Sequence, residues 1–364
     1  MSATTMRAMI LTGHGGPDRL EIRDDWPKPE PSLGEVRVRV GACGLNNTDV
    51  NTRSGWYSKS VKGPTASDAT RDPDAKKADG AWGGALAFPR IQGADVVGTV
   101  EAIGEGVDAA LHGQRVLIDP WLRDWSDPHR RTGCGYLGSE RDGGYAEFMV
   151  VDHRNAHPVR SDLTDAELAT FPTVCTTAEN MLERARVAQG DTVLITGASG
   201  GVGSALIQLV NRRGAKAIAI CSQAKMSRVA SVGARATLAR PLGDLARALR
   251  DAIGESSVSV VADVVGGSDF PALVDALAPG GRYVCSGAIA GPIVEFDLRT
   301  LYLRDLEFLG ATVPPPEHFA DVVRHIEKGE VRPLLAATFA LGDFHEAQAA
   351  FIAKDHVGNI VVVP

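Results

Sequence analysis

A glycine-rich turn between Gly197 and Gly203 has the residue types and spacing that suit phosphate binding. It follows DTVLITG, which predicts a strand, and it precedes SALIQLV, which predicts a helix that begins at about Ser204. Gly200 would let the backbone approach a pyrophosphate, Gly203 would let the helix pack on the strand, and the helix N-terminus offers free N–H groups. The residues predicted to contact a cofactor here are Ala198, Ser199, Gly200, Gly201, Val202 and Gly203. A tight turn without a ligand is the alternative, but the strand–turn–helix context favours a dinucleotide.

The next strand indicates which dinucleotide would bind. A protein that binds NAD(H) places Asp or Glu at the end of this strand to hold the ribose 2′-hydroxyl. No acidic residue occurs between Asp191 and Asp244, and the strand AKAIAICS ends in Ser222, followed by Lys225 and, a turn later, by Arg228. Because a hydroxyl and a cation suit a 2′-phosphate, NADP(H) is the predicted cofactor. The alternative is that Lys225 and Arg228 form a solvated helix face.

The elements that must position these residues fall into two groups. Residues 6–150 contain short apolar runs separated by Gly and Pro, with almost no helical periodicity, which predicts an all-β, barrel-like domain. From about Thr164, one helix is predicted over TDAELATFPTVCTTAENMLERARV, with Thr164 and Glu167 in capping-box spacing. Alternating strands and helices follow and predict a doubly wound parallel sheet. The terminal run NIVVVP is predicted to be a strand that returns to the first domain.

Length and composition limit the possible functions. A chain of 364 residues exceeds one typical hydrophobic core, so two domains are expected. The net charge of −7 argues against a nucleic-acid partner. The five cysteines have no close spacing, which favours reduced thiols and a cytoplasmic location. No segment has the roughly 18 consecutive apolar residues of a membrane span, so no membrane partner is expected.

The segment from Ser58 to Ala87 lacks strand or helix periodicity and is rich in Ala, Asp, Lys and Gly. An irregular segment of this length in a compact domain is usually functional or disordered. A lid that closes over the substrate is one hypothesis. A disordered surface or an oligomer contact is the other.

Several ordered motifs resemble the medium-chain dehydrogenase/reductase superfamily and, within it, the zinc-independent quinone oxidoreductases. They are GACGLNNTDVNTRSG, IQGADVVGTVEAIGEGV, GGYAEFMVV, FPTVCTTAENML, GASGGVGSALIQL and VGNIVVVP, and the match that they mark extends over nearly the whole chain. The resemblance implies an α/β fold class with two domains. Residues 1–160 and 330–364 would form a GroES-like β-barrel domain for the substrate, and residues 161–329 a Rossmann domain that binds NADP(H). The active site would lie in the cleft between them.

Compared with the zinc-dependent alcohol dehydrogenases of this superfamily, the chain lacks metal ligands. Their Cys in a G-x-C-x-T-D context corresponds to Asn46, and the His of their G-H-E segment corresponds to Ala94. Anchoring on the T-A pair moves Cys175 off the third ligand position. Their structural zinc lobe needs four cysteines, whereas residues 119–143 contain only Cys134. No metal site is therefore predicted.

Four residues near the start of the chain are predicted to be catalytic. By the resemblance, Asn46 lines the cleft beside the nicotinamide and polarises the substrate, and Asp49 and Arg53 lie downstream in the same loop. Tyr57 would donate a proton, as some Tyr residues do in related enoyl reductases. The alternative is that Tyr57 is a packed aromatic beside Trp56.

Four further residues complete the predicted cofactor site. The resemblance implies that Thr177 contacts the nicotinamide ring. It also implies that Asn359 stands where relatives carry a basic residue that touches the cofactor. Gly266 and Gly287, which follow the runs VSVVADVV and RYVCS, are assigned to the same site.

The predicted activity is a zinc-independent, NADPH-dependent transfer of hydride to a quinone or an α,β-unsaturated carbonyl compound. A zinc-free alcohol or carbonyl dehydrogenase is the first alternative, since Thr48 and Asp49 keep the T-D pair of the alcohol dehydrogenases. A non-catalytic NADPH-binding protein is the second alternative. The expected partners are a small-molecule substrate and further copies of the chain, in a homodimer or homotetramer.

Overall fold

A computed structural model describes residues 4–65 and 84–364. Its strands, in chain order, are β1 Thr5–Leu11, β2 Leu20–Pro27, β3 Glu35–Gly44, β4 Arg90–Ile91, β5 Asp95–Ile103, β6 Arg115–Ile118, β7 Trp121–Leu122, β8 Gly135–Tyr136, β9 Phe148–Asp152, β10 Ala156–Pro158, β11 Thr192–Ile195, β12 Lys216–Ser222, β13 Ala236–Arg240, β14 Val258–Asp263, β15 Leu277–Cys285, β16 Glu307–Gly310, β17 Leu335–Ala340 and β18 Asn359–Val363. Its α-helices are α1 Asn47–Ser54, α2 Asp165–Leu168, α3 Pro172–Arg184, α4 Gly201–Arg212, α5 Met226–Ser231, α6 Leu245–Ile253, α7 Phe270–Asp275, α8 Leu298–Leu303, α9 Glu317–Glu327 and α10 Phe344–Ala353.

The chain forms two compact units. Unit 1 comprises the described residues of Met1–Val61, Ala66–Thr173 and Pro315–Pro364, and unit 2 comprises Lys62–Thr65 and Val174–Pro314. These bounds differ from the predicted limits of 1–160, 161–329 and 330–364. Most of the predicted lid lies in residues 66–83, outside the described residues, so the lid stays a prediction.

Unit 1 is built mainly from antiparallel strands, as its short apolar runs predict. Its largest sheet has the strand order β10-β6-β5-β3-β18-β17, with β9 also paired to β3. The alternating valines of β3 are buried, since Val36 and Val38 are fully inaccessible to solvent. The terminal strand does return to this unit, because Val361 of β18 pairs with Gly44 of β3. One element that the sequence pattern did not predict, helix α1, follows β3 directly.

Unit 2 contains a six-stranded sheet in the order β13-β12-β11-β14-β15-β16. All of its strand pairs are parallel, which confirms the predicted sheet type. The chain proceeds outward from β11 to β13 and then returns to the other side of β11 with β14. The strand order therefore reverses between β11 and β14, and a crevice at such a switch point is the usual ligand site of this fold.

The helix predicted from Thr164 is two helices. The capping box is present, because the Glu167 N–H donates to the Thr164 hydroxyl and the Glu167 carboxylate accepts from the Thr164 N–H. However, α2 ends at Leu168 and α3 begins at Pro172. Proline lacks the N–H that a continuous helix would use, and it suits the first turn of a new one.

None of the helices within residues 4–65 and 84–364 combines the length and apolar character needed to cross a membrane.

Candidate functional site

The glycine-rich turn of unit 2 leads directly into the N-terminus of helix α4. Gly197 has a φ of 57°, a conformation that favours glycine. Gly200 is the N-cap of α4, so the helix begins at Gly201, three residues earlier than predicted. A Cβ on Gly203 would lie 2.3 Å from the Gly197 carbonyl oxygen, so only glycine allows α4 to pack this closely on the turn. The first N–H groups of α4 have no carbonyl partner within the helix, and they can bind an anion.

A buried aspartate holds the neighbouring turn in place. Asp263, at the end of β14, accepts hydrogen bonds from the Thr196 hydroxyl at 2.5 Å and from the Val265 N–H at 2.8 Å. It also accepts from the Gly266 N–H and the Tyr283 hydroxyl. These bonds join the ends of β11 and β14 at the switch point. Asp263 is not among the residues predicted from the sequence, although an acidic residue at the end of the apolar run VSVVAD is a recognisable signal.

A pocket opens where β11, β12, β13 and β14 end at their carboxyl termini. Its lining includes Gly197, Ile220, Leu242 and Gly266, together with Arg240 and Asp269. The pocket therefore includes predicted Gly266 and adjoins the glycine-rich turn. The predicted Gly287 packs against the residue next to the pocket residue Val265, since a Cβ on Gly287 would lie 3.0 Å from the Val264 carbonyl oxygen.

The remaining predicted cofactor residues lie in different places. Ser222 is exposed at the end of β12, and Lys225 ends the short 3₁₀ turn that follows. Thr177 is half-buried on α3. Asn359 begins β18 and belongs to unit 1, where its N–H donates to the Leu334 carbonyl at 2.7 Å.

In unit 1, Asn46 and Asp95 form the centre of a buried polar network. The Asn46 Nδ2 donates to Asp95 Oδ2 at 2.8 Å, and the Thr173 N–H donates to Asp95 Oδ1 at 2.6 Å. Only 8% of Asn46 and 1% of Asp95 are exposed. Burial raises the pKa of Asp95 to about 6. Asn46 is the N-cap residue of α1, so the helix fixes its position.

Asp49, one turn into α1, joins the same network. Its Oδ2 accepts from the Asn46 N–H at 2.8 Å and from the Tyr145 hydroxyl at 2.7 Å. Its backbone carbonyl accepts from the Gln92 side chain at 2.9 Å. Burial raises the pKa of Asp49 to about 7. Tyr145 and Gln92 belong to the sequence motifs GGYAEF and IQGAD. The motifs alone did not predict that these two side chains donate hydrogen bonds to Asp49.

Gly93 allows Tyr145 and Cys43 to pack closely beside this network. Its φ is +101°, and a Cβ there would lie 2.8 Å from the Cys43 Sγ and 2.9 Å from the Tyr145 ring. Any side chain at Gly93 would displace Tyr145 and its hydrogen bond to Asp49. Burial raises the pKa of the Cys43 thiol well above its ordinary value, so this thiol stays protonated at neutral pH.

The structure corrects the predicted loop at this segment. Asp49 and Arg53 lie on helix α1 and not in a loop; the helix is polar yet largely buried, so its sequence lacks an amphipathic pattern. Arg53 is not part of the Asn46 network. Its Nη1 donates to the Gly15 carbonyl at 2.6 Å, which places its side chain against the N-terminal segment.

Tyr57 follows α1, and its hydroxyl donates to the Thr48 hydroxyl at 3.2 Å. Its ring also contacts Trp56 edge to face, with centroids 5.7 Å apart. Both readings of Tyr57 are therefore compatible with its surroundings. Burial raises the pKa of the Tyr57 phenol.

No group of three or more His, Cys, Asp and Glu residues that could hold a metal ion occurs in the described part of the chain. At the centre of the unit 1 network, both oxygens of Asp95 accept N–H hydrogen bonds from Asn46 and Thr173. The Asp95 oxygens are already hydrogen-bonded and the Asn46 amide donates a hydrogen bond, so these two side chains are a poor ligand set for zinc.

Comparisons with known proteins agree with this architecture. Residues 32–161 match the family model "Alcohol dehydrogenase GroES-like domain", and residues 201–328 match "Zinc-binding dehydrogenase". A solved structure of a Sinorhizobium meliloti 1021 protein, described as a proposed alcohol dehydrogenase, is 46% identical with a TM-score of 0.89; the match covers 100% of this chain and 97% of that one.

Two curated relatives are similar over almost their full length. The acryloyl-coenzyme A reductase of Metallosphaera sedula is 26% identical, with 98% of this chain and 99% of that protein covered. The quinone oxidoreductase of Rattus norvegicus is also 26% identical, with 98% of each chain covered. With its GroES-like region, its parallel nucleotide-binding sheet and these relatives, the chain belongs to the medium-chain dehydrogenase/reductase superfamily of oxidoreductases, which bind a nicotinamide cofactor.

Proposed function

We propose that this chain reduces a C=C bond conjugated to a carbonyl, or a quinone, with hydride from NADPH and without a catalytic metal. The observation that carries the proposal is the hydrogen bond of 2.8 Å from the Asn46 amide to buried Asp95. This bond fixes an N–H donor where the zinc-dependent relatives need a metal ligand. The names of the acryloyl-coenzyme A reductase and quinone oxidoreductase relatives support the same substrate class.

Reduced nicotinamide supplies the hydride when bound. The protein residues bind the cofactor, orient the acceptor and polarise its oxygen. The N-terminus of α4 and the turn at Gly200 hold the pyrophosphate. Asn46 uses one Nδ2 proton for Asp95, and its other Nδ2 proton donates to the acceptor oxygen. As hydride adds to the β-carbon, the π electrons of the C=C bond move towards this oxygen. A preorganised donor is most effective where such charge develops.

A proton must then reach the α-carbon of the enolate, and we assign its donation to Tyr57. The raised pKa keeps its phenol protonated at neutral pH. On substrate binding the phenol turns its proton from Thr48 to the substrate, and the Thr48 hydroxyl, 3.2 Å away, then donates to the phenol oxygen. Transfer of this proton completes the addition of two hydrogens across the double bond. Water restores the proton to Tyr57.

NADP(H) is proposed over NAD(H) because Ser222 takes the place of the acidic residue that would hold a ribose 2′-hydroxyl. Ser222 is exposed, and Lys225 lies one short turn further on. Tighter binding of NADPH than of NADH to the purified protein is the expected result. Equal binding, or tighter binding of NADH, would contradict the cofactor assignment.

A zinc-free alcohol or carbonyl dehydrogenase is the second candidate. The observation that favours it is the pair of hydroxyls on Thr48 and Tyr57, 3.2 Å apart, which could activate a C–O group directly. The description of the Sinorhizobium meliloti relative points the same way.

The test is NADPH oxidation by the purified chain across quinones, enones, enoyl thioesters, aldehydes and ketones, with EDTA present. Turnover of conjugated acceptors and quinones alone supports the proposal. Turnover of simple aldehydes and ketones favours the second candidate, and tight binding of NADPH without any turnover favours a non-catalytic role. Metal analysis of the same sample should find well under one zinc per chain; near-stoichiometric zinc would overturn the metal-free mechanism.

A further inference from the structure

The end of β13 lies beside the end of β12, the position that governs the ribose of the cofactor. In the register of this parallel pair, Arg240 is the partner of Ser222, and Leu238 is the partner of Ile220. Side chains two residues apart in a strand point to the same face. Arg240 and Ser222 therefore share the face on which Ile220 lines the pocket.

The Arg240 side chain is held in a way that leaves it able to bind an anion. Its Nε lies 3.6 Å from Asp269 Oδ2, and the side chain is 43% exposed. This distance is longer than a hydrogen bond, so the contact is a weak ion pair in reach of solvent. Both residues line the same pocket as Gly197 and Gly266.

We infer that Arg240 is the guanidinium that binds the 2′-phosphate of NADP(H), and that Asp269 competes with this phosphate for it. The inference rests on the proposed NADP(H) preference and adds a specificity-determining residue to it. A guanidinium can donate two parallel hydrogen bonds to a phosphate, which a lysine cannot. Ser222 and Lys225, with Arg228 a turn later, are the residues that the sequence pattern predicts at this phosphate.

The negative charge of Asp269 should repel the 2′-phosphate. A 2′-phosphate brings close to two negative charges into a pocket where Asp269 already carries one. The carboxylate should therefore weaken 2′-phosphate binding, while it keeps the guanidinium directed into the pocket in the free protein. Removing this carboxylate should tighten the binding of nucleotides that carry a 2′-phosphate.

The experiment compares two probes, adenosine 2′,5′-bisphosphate and AMP, by calorimetry on the full chain. Their affinity ratio isolates the 2′-phosphate, because the two molecules share every other group. Arg240→Ala should reduce this ratio about tenfold to a hundredfold, the value of a hydrogen-bonded charge pair. Arg240→Lys should recover part of the loss, and Asp269→Asn should raise the ratio. The matched control is Arg247→Ala, since Arg247 forms a comparable pair with Asp251 at 3.7 Å on α6.

The outcomes separate this inference from the proposed cofactor preference. A wild-type chain that binds both probes equally contradicts the NADP(H) preference itself. A wild-type chain that prefers the 2′-phosphate, with the preference intact in Arg240→Ala, overturns the role of Arg240 alone. Weaker binding of both probes by the same factor would mean that Arg240 only supports the pocket wall. An unchanged or lower ratio in Asp269→Asn would overturn the competition.

Discussion

Asn46 has one structural role and one proposed catalytic role, and two measurements on one variant distinguish them. Its amide supports buried Asp95 and, in the proposed mechanism, polarises the acceptor oxygen. Asn46→Ala should lower kcat/KM for the acceptor by about a hundredfold. It should also lower the free energy of unfolding by about 1–3 kcal/mol, because Asp95 Oδ2 loses its donor. Steady-state kinetics and urea unfolding measure the two effects.

The neighbouring amide provides the control for this prediction. Asn47 begins α1, and its side chain accepts from Lys354 at 2.9 Å near the surface. Asn47→Ala should leave both the kinetics and the stability close to those of the wild type. Loss of stability in Asn46→Ala with unchanged acceptor kinetics would show that Asn46 is only a structural residue.

Protonation of the buried carboxyls Asp49 and Asp95 contributes stability that is lost as the pH rises. Burial raises the pKa of Asp49 to about 7 and that of Asp95 to about 6, from an ordinary value of 3.8. The folded chain thus binds these protons more tightly than the unfolded chain does. This contribution is complete below about pH 4 and is lost as the pH rises through 6 to 7, with a slope of up to about 1.4 kcal/mol per pH unit for each proton.

Urea unfolding at a series of pH values between about 5 and 8 measures this dependence. Asp49→Asn keeps an oxygen that can accept from Asn46 and Tyr145, but it cannot titrate. The variant should therefore show a flatter dependence than the wild type. Equal slopes for the two proteins would mean that Asp49 does not change its protonation on unfolding.

At the level of elements, two glycines of the turn between β11 and α4 have different roles. Gly203 allows the helix to pack on the turn, and Gly200, in the proposed cofactor site, allows the pyrophosphate to approach it. A Cβ on Gly203 would lie 2.3 Å from the Gly197 carbonyl oxygen, whereas a Cβ on Gly200 would meet its nearest atom at 3.4 Å. Gly203→Ala should therefore lower the free energy of unfolding by about 1–3 kcal/mol, the usual cost of overpacking. Gly200→Ala should fold normally but bind NADPH more weakly, because its methyl group occupies the path of the pyrophosphate.

Thermal unfolding and NADPH titration of the two variants test this separation. Tight NADPH binding by Gly200→Ala would mean that the phosphates do not approach the turn at this point. Normal stability of Gly203→Ala would mean that α4 can move away from the turn.

At the level of the whole molecule, unit 2 carries an exposed apolar patch. The patch, called here the 293–308 patch, consists of Ile293, Val294, Leu298, Tyr302, Leu303 and Phe308, all at least 37% exposed. Phe308 belongs to β16, which is the edge strand of the parallel sheet, and the other patch residues precede this strand in the chain. We propose that a second copy of the chain covers it. Two identical edge strands can pair antiparallel about a two-fold axis, and pairing satisfies their free backbone groups.

Leu303→Glu and Phe308→Glu together should convert a homodimer into a monomer, because paired charges would be buried at the two-fold axis. Light scattering after size-exclusion chromatography measures the mass. The control is Leu33→Glu, since Leu33 is 75% exposed and belongs to unit 1, not to the patch. A monomeric wild-type chain, or an oligomer that survives the double substitution, would contradict the proposed interface.

The sequence by itself determined what depends on local pattern. The strand–turn–helix at Gly197 to Gly203, the alternation of strands and helices in unit 2, and the return of β18 to unit 1 follow from periodicity and from glycine chemistry. Asn46 and Asp49 were assigned from a local motif and its resemblance to the quinone oxidoreductases, and their catalytic roles stay predictions. The sequence did not predict α1, since a polar helix buried within a unit has no amphipathic stripe.

Only the tertiary structure decided which distant residues meet. Asn46 reaches Asp95 across 49 positions and Asp49 reaches Tyr145 across 96, and no local pattern encodes such pairs. In the same way, the register of β12 and β13 brings Arg240 next to Ser222, while Arg53 is directed to Gly15 and away from the network. Strand register and burial are set by packing of the whole unit, so the chemistry that depends on them became visible only in the fold.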